Sequence, residues 1–202
     1  MNIEMLDAAT HHLQKTDKIM GEIINQCGPI FRNKTRPPYY HALVSAIISQ
    51  QLSLKAAQTI EKRLLDIQGG RYFTADKILN LKTTLISRCG ISKNKVRYIT
   101  TLARAVSNGD LNFRALSRKD DDAVRKELVD YPGIGPWSAD IFLITSLGRM
   151  DVFPVGDLII RKSMQKNYQL ADDVAHSRYI SIAEIWRPYR TVACFYLWKS
   201  FH

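Results

Sequence analysis

Asp157 stands between Gly156 and an apolar helical run, Leu158-Ile159-Ile160. A carboxylate so placed admits two roles. It can cap the helix by accepting from the first backbone N–H groups. It can also stabilise a cation developing on a substrate or orient a water for attack, and a cap would hold it rigidly for that work. One helix and one loop earlier, Tyr131-Pro-Gly-Ile-Gly-Pro-Trp137 offers complementary chemistry. Glycine tolerates positive φ and close backbone approach, and proline at the first helical position gives up no hydrogen bond. Amides of Gly133, Ile134 and Gly135 should therefore present themselves at a helix start, which is a site for an anion.

The composition says which anion. The 202 residues include 29 Lys and Arg against 19 Asp and Glu, a net charge of +10. Such a surplus favours a polyanionic partner, nucleic acid before an anionic membrane. No apolar run approaches the ~18 residues that would span a bilayer, and Met1-Asn-Ile-Glu-Met-Leu-Asp7 does not read as a signal peptide. Cys27, Cys89 and Cys194 are scattered, and neither they nor the five histidines have metal-ligand spacing. A reducing compartment without disulfides, zinc or an iron–sulfur cluster is expected, cytoplasmic, or nuclear in a eukaryote.

With a nucleic-acid phosphate as the anion, the glycine turn becomes a helix-hairpin-helix anchor. Trp137 and Trp198, otherwise ordinary core or groove aromatics, would stack a base extracted from the duplex, with Tyr40 lining the same pocket. Gln51, otherwise a polar residue at a helix junction, would fill the hole left behind. Between Arg88 and Arg104 five basic residues, Lys93 and Lys95 among them, occur without an acidic one. Such a run is either a solvated face or a second contact to phosphates.

Nearly every segment that must position these groups reads as helix. The apolar spacing predicts one amphipathic helix from Ile3 to Cys27, then helices over Tyr39–Ser49 and from Leu54 to Gly69, meeting at the polar trio Ser49-Gln50-Gln51. Thr74 reads as the cap of a short helix, and Ser92 as that of Lys93 to Ser107. Asp120-Asp121-Asp122 opens the first hairpin helix and Pro136 to Leu147 the second. Two more follow, Ala171 to Ile185 and Pro188 to Phe201. No useful strand alternation or repeat appears, so the expected fold class is all-α.

Four blocks, in order along the chain, resemble the helix-hairpin-helix superfamily of DNA base-excision glycosylases, in its DNA-3-methyladenine glycosylase II and yeast-type alkyladenine branch. They are Ala42-Leu-Val-Ser-Ala-Ile-Ile-Ser-Gln-Gln-Leu-Ser53, Cys89-Gly-Ile-Ser-Lys-Asn-Lys-Val96, Tyr131 to Ala139 with Asp151-Val-Phe-Pro-Val-Gly-Asp157, and Trp186-Arg-Pro-Tyr-Arg190 with Tyr196-Leu-Trp198. The resemblance implies a single domain of two helical lobes flanking a cleft. One lobe would take about 1–38 and 150–202, the other about 39–149 with the hairpin at 121–148. It implies Asp157 as the catalytic carboxylate, Gln51 as the wedge, Trp137 and Trp198 as base-pocket aromatics, and Ser53 near the minor groove. The family hairpin often holds a sodium or potassium ion on backbone carbonyls, here those of Val129, Tyr131 and Ile134; no other cofactor is implied.

The implied activity is hydrolysis of the N-glycosidic bond of alkylated purines in double-stranded DNA, by a monomer. Strand-cleaving members carry a lysine where Trp137 stands, so no lyase step is expected. Ser53 and Ile159 depart from the common pattern. They motivate the alternative of a DNA-binding, damage-sensing homologue that has lost turnover.

Overall fold

The computed structural model describes residues 3–30 and 36–201. Along the chain run α1 (Ile3–Thr16), α2 (Lys18–Cys27), α3 (Tyr39–Ser49), α4 (Leu54–Gln68), α5 (Ala75–Leu79), α6 (Thr83–Arg88) and α7 (Lys93–Asn108). They are followed by α8 (Phe113–Leu116), α9 (Asp121–Val129), α10 (Pro136–Phe142), α11 (Leu158–Tyr168), α12 (His176–Ala183) and α13 (Arg190–Phe201). No strand occurs among the described residues, and the fold is all-α. No helix is long and apolar enough to cross a membrane.

Two compact units divide the described residues: 36–142 form one, and 3–30 with 143–201 the other. The expected boundary lay after residue 149, whereas the units part after Phe142. There α10 passes into five residues of π-helix, Leu143–Leu147. The wider turn shifts which side chains face inward, and Leu143, Ile144 and Ser146 are all buried.

In the unit of residues 36–142, α3 turns Tyr40, Leu43, Val44, Ile47 and Ile48 inward, the spacing of a one-sided helix. It packs against α4, α7 and α10. Each fully buried aliphatic side chain contributes about 1.5–3 kcal/mol. The caps follow the sequence reading at several helices. Ser92 Oγ accepts from the N–H of Lys95 at 3.4 Å, and Asp120 from that of Ala123 at 2.8 Å. Thr74 occupies the cap position of α5 without a side-chain bond. The four-residue α8 was not expected; Asn112 caps it.

The other unit wraps α1, α2 and α11 around α13. The single helix expected from Ile3 to Cys27 is two. Asp17 breaks it, accepting from the N–H groups of Ile19 and Met20 at 2.9 and 3.1 Å. Its second oxygen takes the Tyr168 hydroxyl at 2.6 Å and the Trp186 indole N–H at 2.8 Å. Asp17 is 6% exposed, and a carboxylate buried so deeply persists because four donors replace its water. The helix expected from Ala171 also begins later, at His176, after a turn that hydrogen-bonds Val174 N–H to Ala171 O.

Candidate active site and nucleic-acid interface

Asp157 is the N-cap of α11, with one carboxylate oxygen accepting from Ile160 N–H at 3.0 Å. The same Oδ1 accepts from the Trp198 indole N–H at 3.2 Å. Its own N–H bonds Pro154 O at 2.8 Å, and the residue is 6% exposed. Backbone, helix start and indole thus restrict its rotation. A rigid anion beside an aromatic wall is suited to stabilising a cation without reorganising first.

The loop before Asp157 is held from the far end of the chain. The Asp151 carboxylate accepts from Arg187 at 2.7 Å and from Arg190 at 2.8 Å, and Arg190 also donates to the Asp151 carbonyl. Thr191 Oγ accepts from Val152 N–H at 3.0 Å. From within α11, Arg161 donates to Val155 O at 2.9 Å. The Trp186–Arg190 block therefore acts by clamping the strap that carries the carboxylate. Trp198 stands on α13, half-buried, with the Phe195 ring 5.8 Å away.

The hairpin lies in the unit of residues 36–142. Arg125 ties its two helices, reaching Asp122 at 2.7 Å and Asp140 at 2.6 Å. Gly133 has φ +88°, and a Cβ there would fall 2.6 Å from Tyr98 Cγ. Both observations require glycine. Gly135 differs: its φ is not positive, and a Cβ added there would meet no atom within 4 Å. Nothing inside the protein asks for glycine at 135, so the space it leaves is available to something outside. The N–H of Ile134 is taken by Tyr131 O at 3.1 Å and its side chain is buried. Among the described residues, the N–H groups of Gly133 and Gly135 meet no acceptor.

Against this turn sits the bend between α3 and α4. Gln50 donates to Gly133 O at 2.7 Å and to Ser138 Oγ at 3.3 Å. Next to it Gln51 is exposed and held at φ +58°, in the left-handed region that few side chains other than glycine occupy. Gln51, Gly135 and the half-buried Trp137 line one recess of about 400 Å³. Strained backbone at an exposed tip is a common mark of a working residue. Leu52, 41% exposed, shares the tip.

Other expected site residues are placed elsewhere. Tyr40 is a core residue, 5% exposed, its hydroxyl donating to Ile99 O at 3.3 Å; burial pushes its phenol well above the ordinary range. The Lys95 ammonium turns onto the end of α3, donating to Ile48 O at 2.8 Å and Gln50 O at 2.7 Å. There it satisfies carbonyls that the helix leaves open, and burial lowers its pKa. Lys93 is exposed on α7. Ser53 caps α4, accepting from Ala56 N–H at 3.3 Å. Gln50 gives no sign of its role in the sequence, since its partners lie 83 and 88 residues away. Among the described residues, no group of three or more His, Cys, Asp and Glu is arranged to hold a metal.

An all-α chain with a glycine hairpin and a capped, indole-bonded aspartate matches one family model, that of the HhH-GPD superfamily of base excision DNA repair proteins, over residues 44–188. The chain belongs to that superfamily. It is similar to the DNA-3-methyladenine glycosylase of Saccharomyces cerevisiae, 30% identical over 95% of this chain and 78% of that protein. It is also similar to the solved 3-methyladenine DNA glycosylase of Schizosaccharomyces pombe in complex with abasic DNA. That match has a TM-score of 0.87 and 30% identity, covering 95% of each chain. The chain spans 58% of the Bacillus subtilis relative YfjP, at 29% identity over 80% of its own length.

Proposed function

We propose that this chain is a monofunctional DNA glycosylase, removing alkylated purines such as 3-methyladenine from duplex DNA as a monomer inside the cell, and leaving an abasic site for base excision repair. The observation that carries the reading is Asp157, held at the start of α11 and bonded by Trp198. Alkylation at a purine ring nitrogen makes the base cationic, so the glycosidic pair of electrons leaves with it and the base departs neutral. The sugar is then an oxocarbenium-like cation, which Asp157 stabilises. Water adds to the anomeric carbon, and its proton passes to the carboxylate and then to solvent. A cationic base against an indole gains ~0.5–2 kcal/mol from cation–π attraction in a desolvated site.

Gly133 and Gly135 amides would grip a phosphate, and Gln51 would enter the stack as the base leaves it. Trp137 takes the place of the lysine of strand-cleaving relatives, which supports hydrolysis without a Schiff-base step. The carbonyls of Val129, Tyr131 and Ile134 are neutral oxygen donors, of the kind a sodium or potassium ion takes; when bound, such an ion would add positive charge near the gripped phosphate.

The test is Asp157→Asn on methylated duplex DNA. Release of free 3-methyladenine should fall by at least about a hundredfold, a charge-stabilisation loss of roughly 3 kcal/mol or more, while affinity for DNA survives. Full release by the variant would overturn the assignment. Failure of the wild-type chain to release any base would favour a binding-only homologue.

A further inference from the structure

We infer that Arg97 is a second phosphate clamp beside the hairpin turn, held ready by Tyr98; this rests on the reading of the hairpin as a DNA contact. The hairpin is poor in positive charge for a polyanion anchor. Residues 121–142 carry two basic side chains, Arg125 and Lys126, against five carboxylates, a net charge of −3. Arg125 is committed to Asp122 and Asp140. On one side of the turn, Tyr131 feels the charges of Glu127, Asp110 and Asp130, which add to burial in raising its pKa. A phosphate seated on the Gly133 and Gly135 amides would meet this acidic field unless a cation offsets it.

Arg97 is placed to do so. The Tyr98 ring packs directly on Gly133, since a Cβ at that glycine would fall 2.6 Å from the ring Cγ. The Arg97 guanidinium carbon lies over the same ring, 5.5 Å from its centroid. One aromatic ring therefore touches the turn with one part and carries a cation with another. Arg97 is exposed, and no carboxylate pairs with it among the described residues. On α7 it stands one turn beyond the exposed Lys93 and almost in line with the exposed Arg104. A planar guanidinium stacked on an aromatic ring keeps its donors pointing outward and loses little freedom on meeting phosphate.

Arg71 provides an internal control. It too is exposed and lies over a tyrosine, Tyr72, at 5.3 Å, but that ring meets His41 instead of the hairpin. The experiment measures affinity for a duplex carrying a stable tetrahydrofuran abasic site, across a series of KCl concentrations. Arg97→Gln should flatten the plot of log affinity against log salt by about 0.9, the value for one phosphate contact on B-form DNA. Arg71→Gln should leave the slope as in wild type. An unchanged slope in Arg97→Gln, or an equal loss in Arg71→Gln, overturns the clamp. A wild-type affinity that ignores salt instead overturns the DNA reading beneath it.

Discussion

The two glycines of the hairpin look interchangeable in a sequence and are not. Gly133 is demanded from within, by its φ of +88° and by the Tyr98 ring against it. Gly135 is demanded by nothing within 4 Å of its missing side chain, and under the proposed function that space receives a DNA phosphate. Gly133→Ala should cost about 1–3 kcal/mol of stability through strain and displacement of Tyr98. Gly135→Ala should unfold within about 0.5 kcal/mol of wild type yet bind duplex DNA more weakly. Urea unfolding and duplex titration of both variants check the contrast; a large stability loss at 135 would contradict it. Asp157 teaches a related lesson. Its capping bond to Ile160 N–H does not compete with a chemical role, since it fixes the orientation that role requires.

At the scale of elements, the bend between α3 and α4 is held by groups from two other parts of the unit. Gln50 fastens it to the hairpin, and Lys95 of α7 fastens it to the end of α3. Gln51 can sit at φ +58° because its neighbours are so constrained. Lys95→Met keeps the aliphatic stem and removes two charge-assisted bonds. It should cost about 1–3 kcal/mol, read as a lower thermal midpoint, and should slow base release by loosening the Gln51 tip. Unchanged stability would mean that the ammonium is not an effective cap. In the other unit, Asp151, Arg187 and Arg190 play the same part for the strap before Asp157. In both places a residue given a role in the proposed function sits on an irregular segment, and its rigidity is supplied from distant sequence.

For the molecule as a whole, stability should depend on pH through His41. Its Nδ1 accepts from Phe73 N–H at 3.1 Å, which requires the unprotonated nitrogen, and burial lowers its pKa. A histidine whose folded pKa is depressed binds its proton more readily when unfolded. Its contribution is complete above the unfolded value of about 6.5 and is lost as pH falls through the lower folded value. The wild-type chain should thus lose stability on going from about pH 7.5 to 5.5. Glu61, whose pKa burial raises, works in the opposite direction. The comparison is therefore with His41→Gln, whose stability should fall less over the same range. Parallel pH curves for the two proteins in chemical denaturation would refute the assignment.

Most of the helices were legible in the chain, because apolar periodicity and capping residues are local. Ser92, Asp120 and the Pro136 start announce their helices from a few neighbours. The glycine turn of the hairpin and the capping position of Asp157 were legible for the same reason, each being a short local motif. Asp17 shows the limit: its partners Tyr168 and Trp186 lie 151 and 169 residues away, so nothing nearby says that a carboxylate there is buried and ends a helix. Lys95 and Tyr40 read as ligand-facing residues and are held inside by carbonyls of Ile48, Gln50 and Ile99. Local spacing determines which face of a helix is apolar and where it starts. Which polar group meets which, across scores of residues, is decided only when the packed helices bring desolvated donors and acceptors within reach of one another.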